Sequence, residues 1–364
     1  MPDSDRVFSP GSTWRRWDPH IHAPGTILED EFDGPDVWEE YLARIESATP
    51  TVVALGITDY WSLDLYEQVV AEKAKGRLPE VELLFANVEL RLAVATGSGS
   101  AVNAHLLISP EDADHVAEAR RFLSSLTFKA KREVYSCTRG DLVKLGRAHD
   151  KGAIEETAAL RVGTTQFKTT ATELREAIAA SEWAQKNIVV AVAATTGSGT
   201  SGMKGDASMA STRQEIERLA GVIFSGTPSD RAFWLGDGKD SLADLREKYN
   251  GAKPCLHGSD AHKLERVCAP DKDRFTWIKG DPTFEALRQA LIEPAARVYV
   301  GPSPPDGPLP YRVIRAIELR GADWCTPTRF DLNPGLVGII GARGSGKTAL
   351  VDLITTGAGS PGGP

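Results

Sequence analysis

Two histidines one residue apart, His20 and His22, are the first side chains along the chain with an evident chemical use. On a strand, residues i and i+2 point to the same face, so both imidazoles can reach one metal ion. The whole chain has seven histidines. An isolated pair of this kind is more often two surface histidines, so its meaning depends on whether other segments supply further ligands.

Five further side chains of metal-ligand type lie at the ends of predicted strands: Asp59, Glu89, His105, Asp260 and His262. Each has an ordinary alternative. Asp59 and Asp260 can cap helices, and Glu89 can form an ion pair across a strand face. His105 can be a hydrogen-bonded core histidine, and His262 can face solvent. Because active sites of parallel barrels form at the carboxyl ends of the strands, the coincidence at separate strand ends predicts one metal site.

A second motif, GARGSGKT at residues 341–348, matches the pattern of a phosphate-binding loop. It follows an apolar segment, LVGII, that is predicted as a strand, and it opens a stretch of helical period. In such loops backbone N–H groups surround phosphates, the lysine reaches the β- and γ-phosphates and the Ser/Thr hydroxyl binds Mg²⁺. The sequence therefore predicts binding of ATP and Mg²⁺ by Gly341, Gly344, Ser345, Gly346, Lys347 and Thr348.

Apolar runs alternate with segments of helical period up to about residue 300. The predicted strands cover residues 17–22, 52–59, 82–90, 102–109, 188–195, 221–226 and 254–262. The predicted helices include residues 35–48, 109–126 and 170–185. This alternation, with strands apolar on both faces, predicts an α/β fold whose parallel sheet is covered by helices and closes, or nearly closes, into a barrel.

Two Gly-rich segments interrupt this pattern. GSGTSGMKGDAS (197–208) is predicted as a loop after the fifth strand, and GPSPPDGPLP (301–310) as a stiff linker between domains. We therefore expect a first domain over residues 1–300 and a second, apparently truncated, over residues 311–364.

Composition limits the class of protein. The chain has 364 residues, 41% of them hydrophobic, a formal net charge of −8 and a sequence pI near 5.5. The four cysteines are scattered, which excludes a CxxC zinc ribbon and disfavours a disulfide framework. No basic, apolar signal peptide and no run of about 18 apolar residues is present, so we expect a cytoplasmic protein that does not bind membranes. The acidic balance argues against a surface built wholly for nucleic acid.

WDPHIH, GITDY, NVEL, AHLL and GSDAH, in this order over about residues 14–300, resemble the PHP (polymerase and histidinol phosphatase) family. The resemblance implies a distorted (β/α)7 barrel with a two- or three-metal centre that hydrolyses phosphoesters. It assigns the ligand role to His20, His22, Asp59, Glu89, His105, Asp260 and His262.

The chain departs from this pattern at three places. Tyr60 stands where many members have a histidine, Ala193-Ala194-Thr195 replaces a later His-Pro element, and Pro19 replaces the usual leucine. We therefore expect two metals rather than three. Mixed imidazole and carboxylate ligands suit Mn, Zn or Fe. Two such ions can activate water and hold the attacking and leaving oxygens of a phosphoryl transfer, with Glu89 or Asp59 between them.

The block after the linker resembles the start of an ABC/SMC-like P-loop ATPase head. Barrel and head together are similar to bacterial PHP–ATPase fusion proteins, which residues 223–236 and 276–291 also match. Only sixteen residues follow Thr348, so we expect the rest of the ATPase domain to come from a missing C-terminal part or from another chain.

Three functions stay open at this point. The first is a phosphodiesterase or nuclease, acting on DNA or RNA and controlled by the ATPase module, as SMC-like machines commonly grip DNA. The second is a phosphomonoesterase for a small metabolite, which the acidic balance favours. The third is a barrel that has lost catalysis and serves as a binding module, which Tyr60 favours. Each of the three is compatible with a homo-oligomer.

Overall fold

The computed structural model describes residues 11–305, 313–321 and 329–359. The chain divides into a large unit, Arg15–Pro304, and a smaller one that includes the described residues 313–321 and 329–359. The strands are β1 (Trp14–His22), β2 (Val52–Tyr60), β3 (Leu83–Ala95), β4 (Ala101–Ile108), β5 (Thr127–Ala130), β6 (Glu133–Ser136), β7 (Ile188–Ala193), β8 (Val222–Phe224), β9 (Cys255–Leu256), β10 (Phe275–Lys279), β11 (Val298–Gly301), β12 (Ala316–Glu318) and β13 (Arg329–Asp331).

The helices are α1 (Val37–Glu46), α2 (Asp64–Ala74), α3 (His115–Ser125), α4 (Arg139–His149), α5 (Glu156–Gln166), α6 (Ala171–Ala179), α7 (Glu182–Asn187), α8 (Ala210–Leu219), α9 (Pro228–Trp234), α10 (Leu242–Tyr249), α11 (Phe284–Ile292), α12 (Pro294–Arg297) and α13 (Lys347–Gly357). The predicted helix over 170–185 is in fact two helices. A capping box of Thr170 and Glu173 starts α6, and the Ser181 side chain caps α7, so the chain turns between them. The predicted loop 197–208 contains two short 3₁₀ turns.

In the described residues a nine-stranded sheet has the order β11-β10-β1-β2-β3-β4-β7-β8-β9. The two ends of this sheet approach each other. On β10, next to the end strand β11, the Thr276 hydroxyl donates to the carbonyl of His257, just beyond β9, at 2.8 Å and accepts from the His257 N–H at 2.7 Å. The prediction of an α/β barrel is therefore confirmed as a mixed α/β fold with a nearly closed barrel.

Two places in the sheet overturn the expectation of an all-parallel sheet, and one of them is the antiparallel pair β10–β11. β4 pairs antiparallel with both β3 and β7, whereas β1–β2, β2–β3, β7–β8 and β8–β9 are parallel. The turn between β3 and β4 spans only residues 96–100, and so short a connection permits only an antiparallel pair. The register places His105 opposite Glu89, so His105 reaches the predicted site from mid-strand rather than from a strand end.

Side chains inside the barrel change character along its axis. On one face of β3, the buried apolar residues Leu83 and Phe85 are followed by Asn87, Glu89 and Arg91. The apolar end packs with Trp17, Leu107, Phe224 and Leu256, and with Phe284 and Leu287 of α11, in one core cluster. Helices α1–α10 pack on the outside of the sheet in another cluster. The barrel thus has a filled apolar end and a polar end, called the mouth below.

The smaller unit contains an antiparallel pair, β12–β13, and helix α13. The strand predicted over LVGII is absent from the described residues, where 336–340 has no regular structure. Leu336 and Ile340 are 94% and 93% exposed. A strand needs a hydrogen-bonded neighbour, and the described residues place none beside this segment.

Within the described residues, every helix is too short or too polar to cross a membrane.

Candidate metal centre

The end of β1 brings the first two predicted ligands together. The pairing of β1 with β2 shifts register between Asp18 and Ile21, as at a β-bulge, and so re-aims the side chains that follow. The Nε2 atoms of His20 and His22 lie 3.3 Å apart. His22 is buried and His20 is 12% exposed at its side chain.

Asp260 and His262 reach the same place from a loop, not from the strand that was predicted over 254–262. β9 ends at Leu256, and Asp260 adopts the left-handed conformation with φ of 48°. The loop is attached to β1 by two hydrogen bonds, from the Ser259 N–H to Asp18 Oδ1 at 3.0 Å and from the Asp260 N–H to the His20 carbonyl at 2.8 Å. These bonds bring Asp260 and His262, the last predicted ligands along the chain, next to His20 and His22, the first.

Gly258 permits this close approach. A Cβ at this position would lie 2.5 Å from the His20 carbonyl oxygen and 2.6 Å from the His20 Cβ, both inside van der Waals contact. The backbone of the loop can therefore lie against β1 only with glycine here.

The ligand-type atoms converge on two carboxylates. Asp260 Oδ1 lies 3.1 Å from His20 Nε2, 3.7 Å from His22 Nε2 and 3.5 Å from His262 Nε2. Glu89 Oε2 lies 3.5 Å from Nε2 of both His20 and His22. Two overlapping groups of possible ligands result, His20–His22–Glu89 and His22–Asp260–His262.

His105 lies beside these groups and belongs to neither. Its ring centre is 4.7 Å from that of His20, and both rings contact Phe224, whose ring centre lies 5.3 Å from His20 and 4.8 Å from His105. His105 therefore lines the same cavity, next to the ligand groups.

Asp59 requires a correction, because the structure does not bring it into either group. Strand alternation puts Asp59 on the face of β2 opposite to Tyr60. Its Oδ1 accepts hydrogen bonds from the Thr26 hydroxyl, the Ile27 N–H and the Tyr60 N–H at 3.3, 3.1 and 2.9 Å. Asp59 thus contacts the ligand cluster indirectly, through the Thr26 hydroxyl that lies beside His22.

Tyr60 takes the inner position instead. Its ring stacks on His22 with centres 5.2 Å apart and planes at 27°, and lies 6.4 Å from the His262 ring. It supplies an apolar wall to the ligand cluster, and its phenol lines the mouth.

Outer partners fix the ring orientations, and sequence reasoning missed them. His22 Nδ1 lies 3.1 Å from the Thr26 hydroxyl, and His105 Nδ1 lies 3.1 Å from Asn87 Oδ1. Asn103 donates to Glu89 Oε1. Such contacts commonly orient metal-binding imidazoles and leave Nε2 free. A signal existed for the two asparagines, since each precedes a predicted ligand by two residues and so shares its strand face.

The electrostatics of the cluster favour a cation. Burial alone would lower the pKa of His20, but Asp260 and Glu89 raise it to about 9. Burial lowers the pKa of His22 to about 4 and that of His105 to about 3. Burial opposes ionisation of Glu89, whereas the Asp260 side chain is 63% exposed. The neighbouring imidazoles hold the pKa values of both carboxyls below their usual range. Two ionised carboxylates thus face His22 and His105, which are neutral near pH 7, and two imidazoles with raised pKa values, those of His20 and His262, whose protons a divalent ion would displace on binding.

The residues present fit divalent metal binding. His262 Nδ1 is buried and has no hydrogen-bond partner in the described part of the chain. The Nε2 atoms of His20 and His22 lie near each other and near carboxylate oxygens rather than near hydrogen-bond donors. Each imidazole nitrogen has one lone pair, so His22 can serve one ion, and a second ion would share the carboxylates.

The cluster forms the floor of a cavity of about 630 Å³, called the mouth cavity below. Besides the ligand groups, its walls include Asn103, Lys168, Ser198, Thr227, His257, Lys272 and Arg274. This volume is in the range of small-ligand sites, roughly 300–1,000 Å³.

The GARGSGKT segment forms a turn that leads directly into α13. Gly344 and Gly346 have φ of 83° and 82°, which glycine adopts without strain. The Lys347 ammonium donates to the carbonyls of Gly341 and Ala342, each at 2.7 Å. Ser345 lies in the turn and Thr348 in the first turn of the helix.

Comparisons with known proteins add little to this geometry. Neither a protein-family model nor a curated protein matches the chain. A crystal structure of a proposed metal-dependent phosphoesterase from Bifidobacterium adolescentis is similar, with 12% sequence identity, a match covering 77% of this chain and 97% of that chain, and a TM-score of 0.35. So low a TM-score does not establish a common fold, and the function must be argued from the site.

Proposed function

We propose that the barrel is a metal-dependent phosphodiester hydrolase of PHP type, and that His20, His22, Glu89, Asp260 and His262 hold its divalent ions. The observation that carries the proposal is the convergence of three imidazole nitrogens on Asp260 Oδ1, at 3.1–3.7 Å, on the floor of an open cavity. Imidazole and carboxylate ligands of this kind suit Mn, Zn or Fe.

The chain's own residues position this chemistry. When bound, two divalent ions supply Lewis acidity, make water a nucleophile near neutral pH and neutralise charge on the attacking and leaving oxygens. Thr26 holds His22 and Asn103 holds Glu89, so both ligands are oriented before substrate arrives. Phe224 forms an apolar wall against His20, which keeps water from that side of the cluster.

A diester is favoured over a monoester by the shape of the mouth. The cavity extends beyond the ligand cluster on several sides, towards residues 99–103, 165–168, 224–227 and 271–274. A phosphate bound at the floor therefore has room for substituents on both ester oxygens. The phosphomonoesterase and the inactive barrel are the alternatives that an experiment must exclude.

The test compares substrates on protein reconstituted with Mn²⁺ or Zn²⁺. Turnover of bis(p-nitrophenyl) phosphate, p-nitrophenyl phosphate and a single-stranded oligonucleotide is measured for wild type, Asp260→Ala and the control Asp237→Ala, whose exposed carboxylate lies away from the cavity. Metal content is measured on the same samples. We expect diester and oligonucleotide turnover that Asp260→Ala abolishes and Asp237→Ala retains.

Turnover of the monoester alone would replace this proposal with a phosphatase. Stoichiometric metal with no turnover of any substrate would identify a binding module, and absence of bound metal would overturn the metal centre itself.

We further propose that GARGSGKT binds a nucleotide, as part of an ATPase segment over residues 311–364 joined by the linker 301–310 to a phosphoesterase domain over residues 1–300. Three local features support it: left-handed glycines at 344 and 346, a helix that starts at Lys347, and an ammonium held by loop carbonyls. Backbone N–H groups at a helix start favour phosphate. Control of the barrel by ATP hydrolysis belongs to the same proposal.

A further inference from the structure

Four cationic side chains line the mouth cavity around the candidate metal centre. They are Arg91, Lys168, Lys272 and Arg274. The chain as a whole has a net charge of −8, so this concentration of positive charge at one place runs against the overall composition. The strands that carry or adjoin these four side chains show on which sides of the metal centre an anion would bind.

Arg91 and Lys168 form one pair. Arg91 follows Glu89 by two residues on the inner face of β3. The segment that carries Lys168 runs beside it, because the Thr169 N–H donates to the Arg91 carbonyl at 3.2 Å and the Ala93 N–H donates to the Thr169 carbonyl at 2.7 Å. The two side chains therefore enter the cavity next to each other.

Lys272 and Arg274 form a second pair, immediately before β10. The Arg274 carbonyl lies 2.9 Å from Nδ1 of His257, the residue that begins the loop to Asp260. β1 and β2 separate β10 from β3 in the sheet. The two cationic pairs therefore lie on different sides of the ligand cluster.

These cations have few carboxylates to neutralise them. Among the described residues, none has a carboxylate oxygen within 4.0 Å of Lys168, Lys272 or Arg274. Arg91 lies 3.9 Å from Glu29, and its Nε is buried with no hydrogen-bond partner in the described chain. Asp271, the remaining acidic residue of this wall, is already paired with Arg266 at 2.6 Å.

We infer that the two pairs bind the phosphates on either side of the one that is cleaved, and that the substrate is single-stranded nucleic acid. The inference rests on the proposed function, because the cleaved phosphate must lie at the metal centre. A flexible strand can bend its backbone to a concave floor, whereas duplex DNA has a persistence length of roughly 50 nm and does not bend into it. Lysine and arginine groove walls of this kind follow single-strand backbones.

The first experiment measures binding without catalysis. Fluorescence anisotropy of 5′-labelled (dT)8 is recorded in EDTA over a series of NaCl concentrations for wild type, Lys168→Gln, Arg274→Gln, the double variant and Lys239→Gln. Lys239 is an exposed lysine outside the cavity and serves as the matched control. Each lost phosphate contact should reduce the slope of log K against log salt by about 0.7.

We expect Lys168→Gln and Arg274→Gln each to weaken (dT)8 binding by about 5- to 10-fold at low salt, and Lys239→Gln to leave it unchanged. Unlabelled duplex should compete poorly. Equal competition by inorganic tripolyphosphate and (dT)8 would show a site for small polyphosphates and overturn the nucleic-acid assignment. Unchanged slopes in all variants would overturn the two subsites.

The second experiment separates this inference from the proposed function. With metal present, kcat/KM is measured for (dT)8 and for bis(p-nitrophenyl) phosphate, which has no flanking phosphates. The variants should lose oligonucleotide activity through KM and keep full activity on the small diester, which also shows that they are folded. Equal losses on both substrates would overturn the subsites, whereas no turnover in wild type would overturn the proposed function while the EDTA binding result still decides the subsites.

Discussion

The mouth of the barrel and the GARGSGKT turn are both candidate phosphate sites, and they are built in opposite ways. The ligand groups at the mouth come from positions as far apart as His20 and His262, and the fold brings them together. The turn is one run of eight residues whose shape depends on its own backbone, with glycines at φ of 83° and 82°.

The two sites also differ in how deeply their residues are buried. His22 and Glu89 are buried, and their ring and carboxylate atoms have fixed partners in Thr26 and Asn103. None of the described residues of α13 is buried. The mouth therefore depends on the stability of the whole barrel, while the turn depends on a few local hydrogen bonds. When no nucleotide is present, a change at one site should therefore leave the other site unaffected.

Substitution of His22 should have the largest effect, because His22 belongs to both ligand groups. We expect His22→Ala to lose bound metal and to lower diester kcat/KM by roughly 10³-fold or more. Binding of mant-ATP with Mg²⁺ should not change. Metal analysis, steady-state kinetics and nucleotide titration on one preparation check this, and a parallel loss of nucleotide binding would show that the two sites are not separable.

Substitution of Lys347 tests whether the turn can be changed without an effect on the metal centre. Lys347→Ala removes the ammonium that donates to two loop carbonyls, and with it a charge-assisted contact to phosphate. We expect mant-ATP affinity to fall by about 10- to 100-fold, while diester hydrolysis measured without nucleotide stays the same. Lys239→Ala is the control. If wild type itself does not bind mant-ATP, the nucleotide proposal fails and the metal centre is unaffected.

Removal of one outer partner should have a smaller effect at the mouth. Thr26→Val keeps the side-chain shape and deletes the hydroxyl between His22 Nδ1 and Asp59 Oδ1. Outer partners of this kind typically contribute 10- to 100-fold in metal affinity, and we expect the lower value, about 10-fold. Competition with a chelator measures it, with the exposed Thr51→Val as control. An unchanged affinity would mean that Thr26 does not orient the ring.

Features that depend on local sequence or on a motif could be predicted from the sequence, and most of the candidate metal ligands are of this kind. Six of the seven predicted metal-ligand residues line the mouth cavity or lie in the ligand groups. Asp59 was the exception, because the motif carried both Asp59 and Tyr60 and only strand alternation decides which one faces inward. Asn87 and Asn103 could have been found by the same alternation, since each stands two residues before a predicted ligand.

Other features depend on contacts between distant segments. The hydrogen bond from Ser259 to Asp18 and the fit of Gly258 against His20 join opposite ends of the barrel domain, and no local pattern indicates them. The direction of β4 was missed although the Gly/Ser-rich residues 96–100 are a hairpin signal. The strand predicted over 336–340 was wrong, because strand formation depends on a neighbour and apolar composition alone does not supply one.

The smallest predicted effect concerns the end of the barrel away from the mouth. Lys253 precedes β9, is 5% exposed, and donates through Nζ to the Ala220 carbonyl. Burial lowers its pKa from 10.5 to about 8. Between these values the unfolded chain binds more protons than the folded one, so the free energy of unfolding should rise as pH increases from 8 to 10.5.

Lys253→Met removes a charge that is costly to bury below pH 8. We expect the variant to be more stable than wild type by about 1–2 kcal/mol at pH 7, since loss of the hydrogen bond to Ala220 offsets part of the gain. The difference should shrink towards pH 10, where the lysine is neutral in the folded state. Urea unfolding at pH 7 and pH 10 measures it, and metal affinity should not change in either case. Destabilisation at pH 7 would show that the Nζ contact outweighs the cost of burial, and that this end of the barrel, like the mouth, depends on a buried polar group.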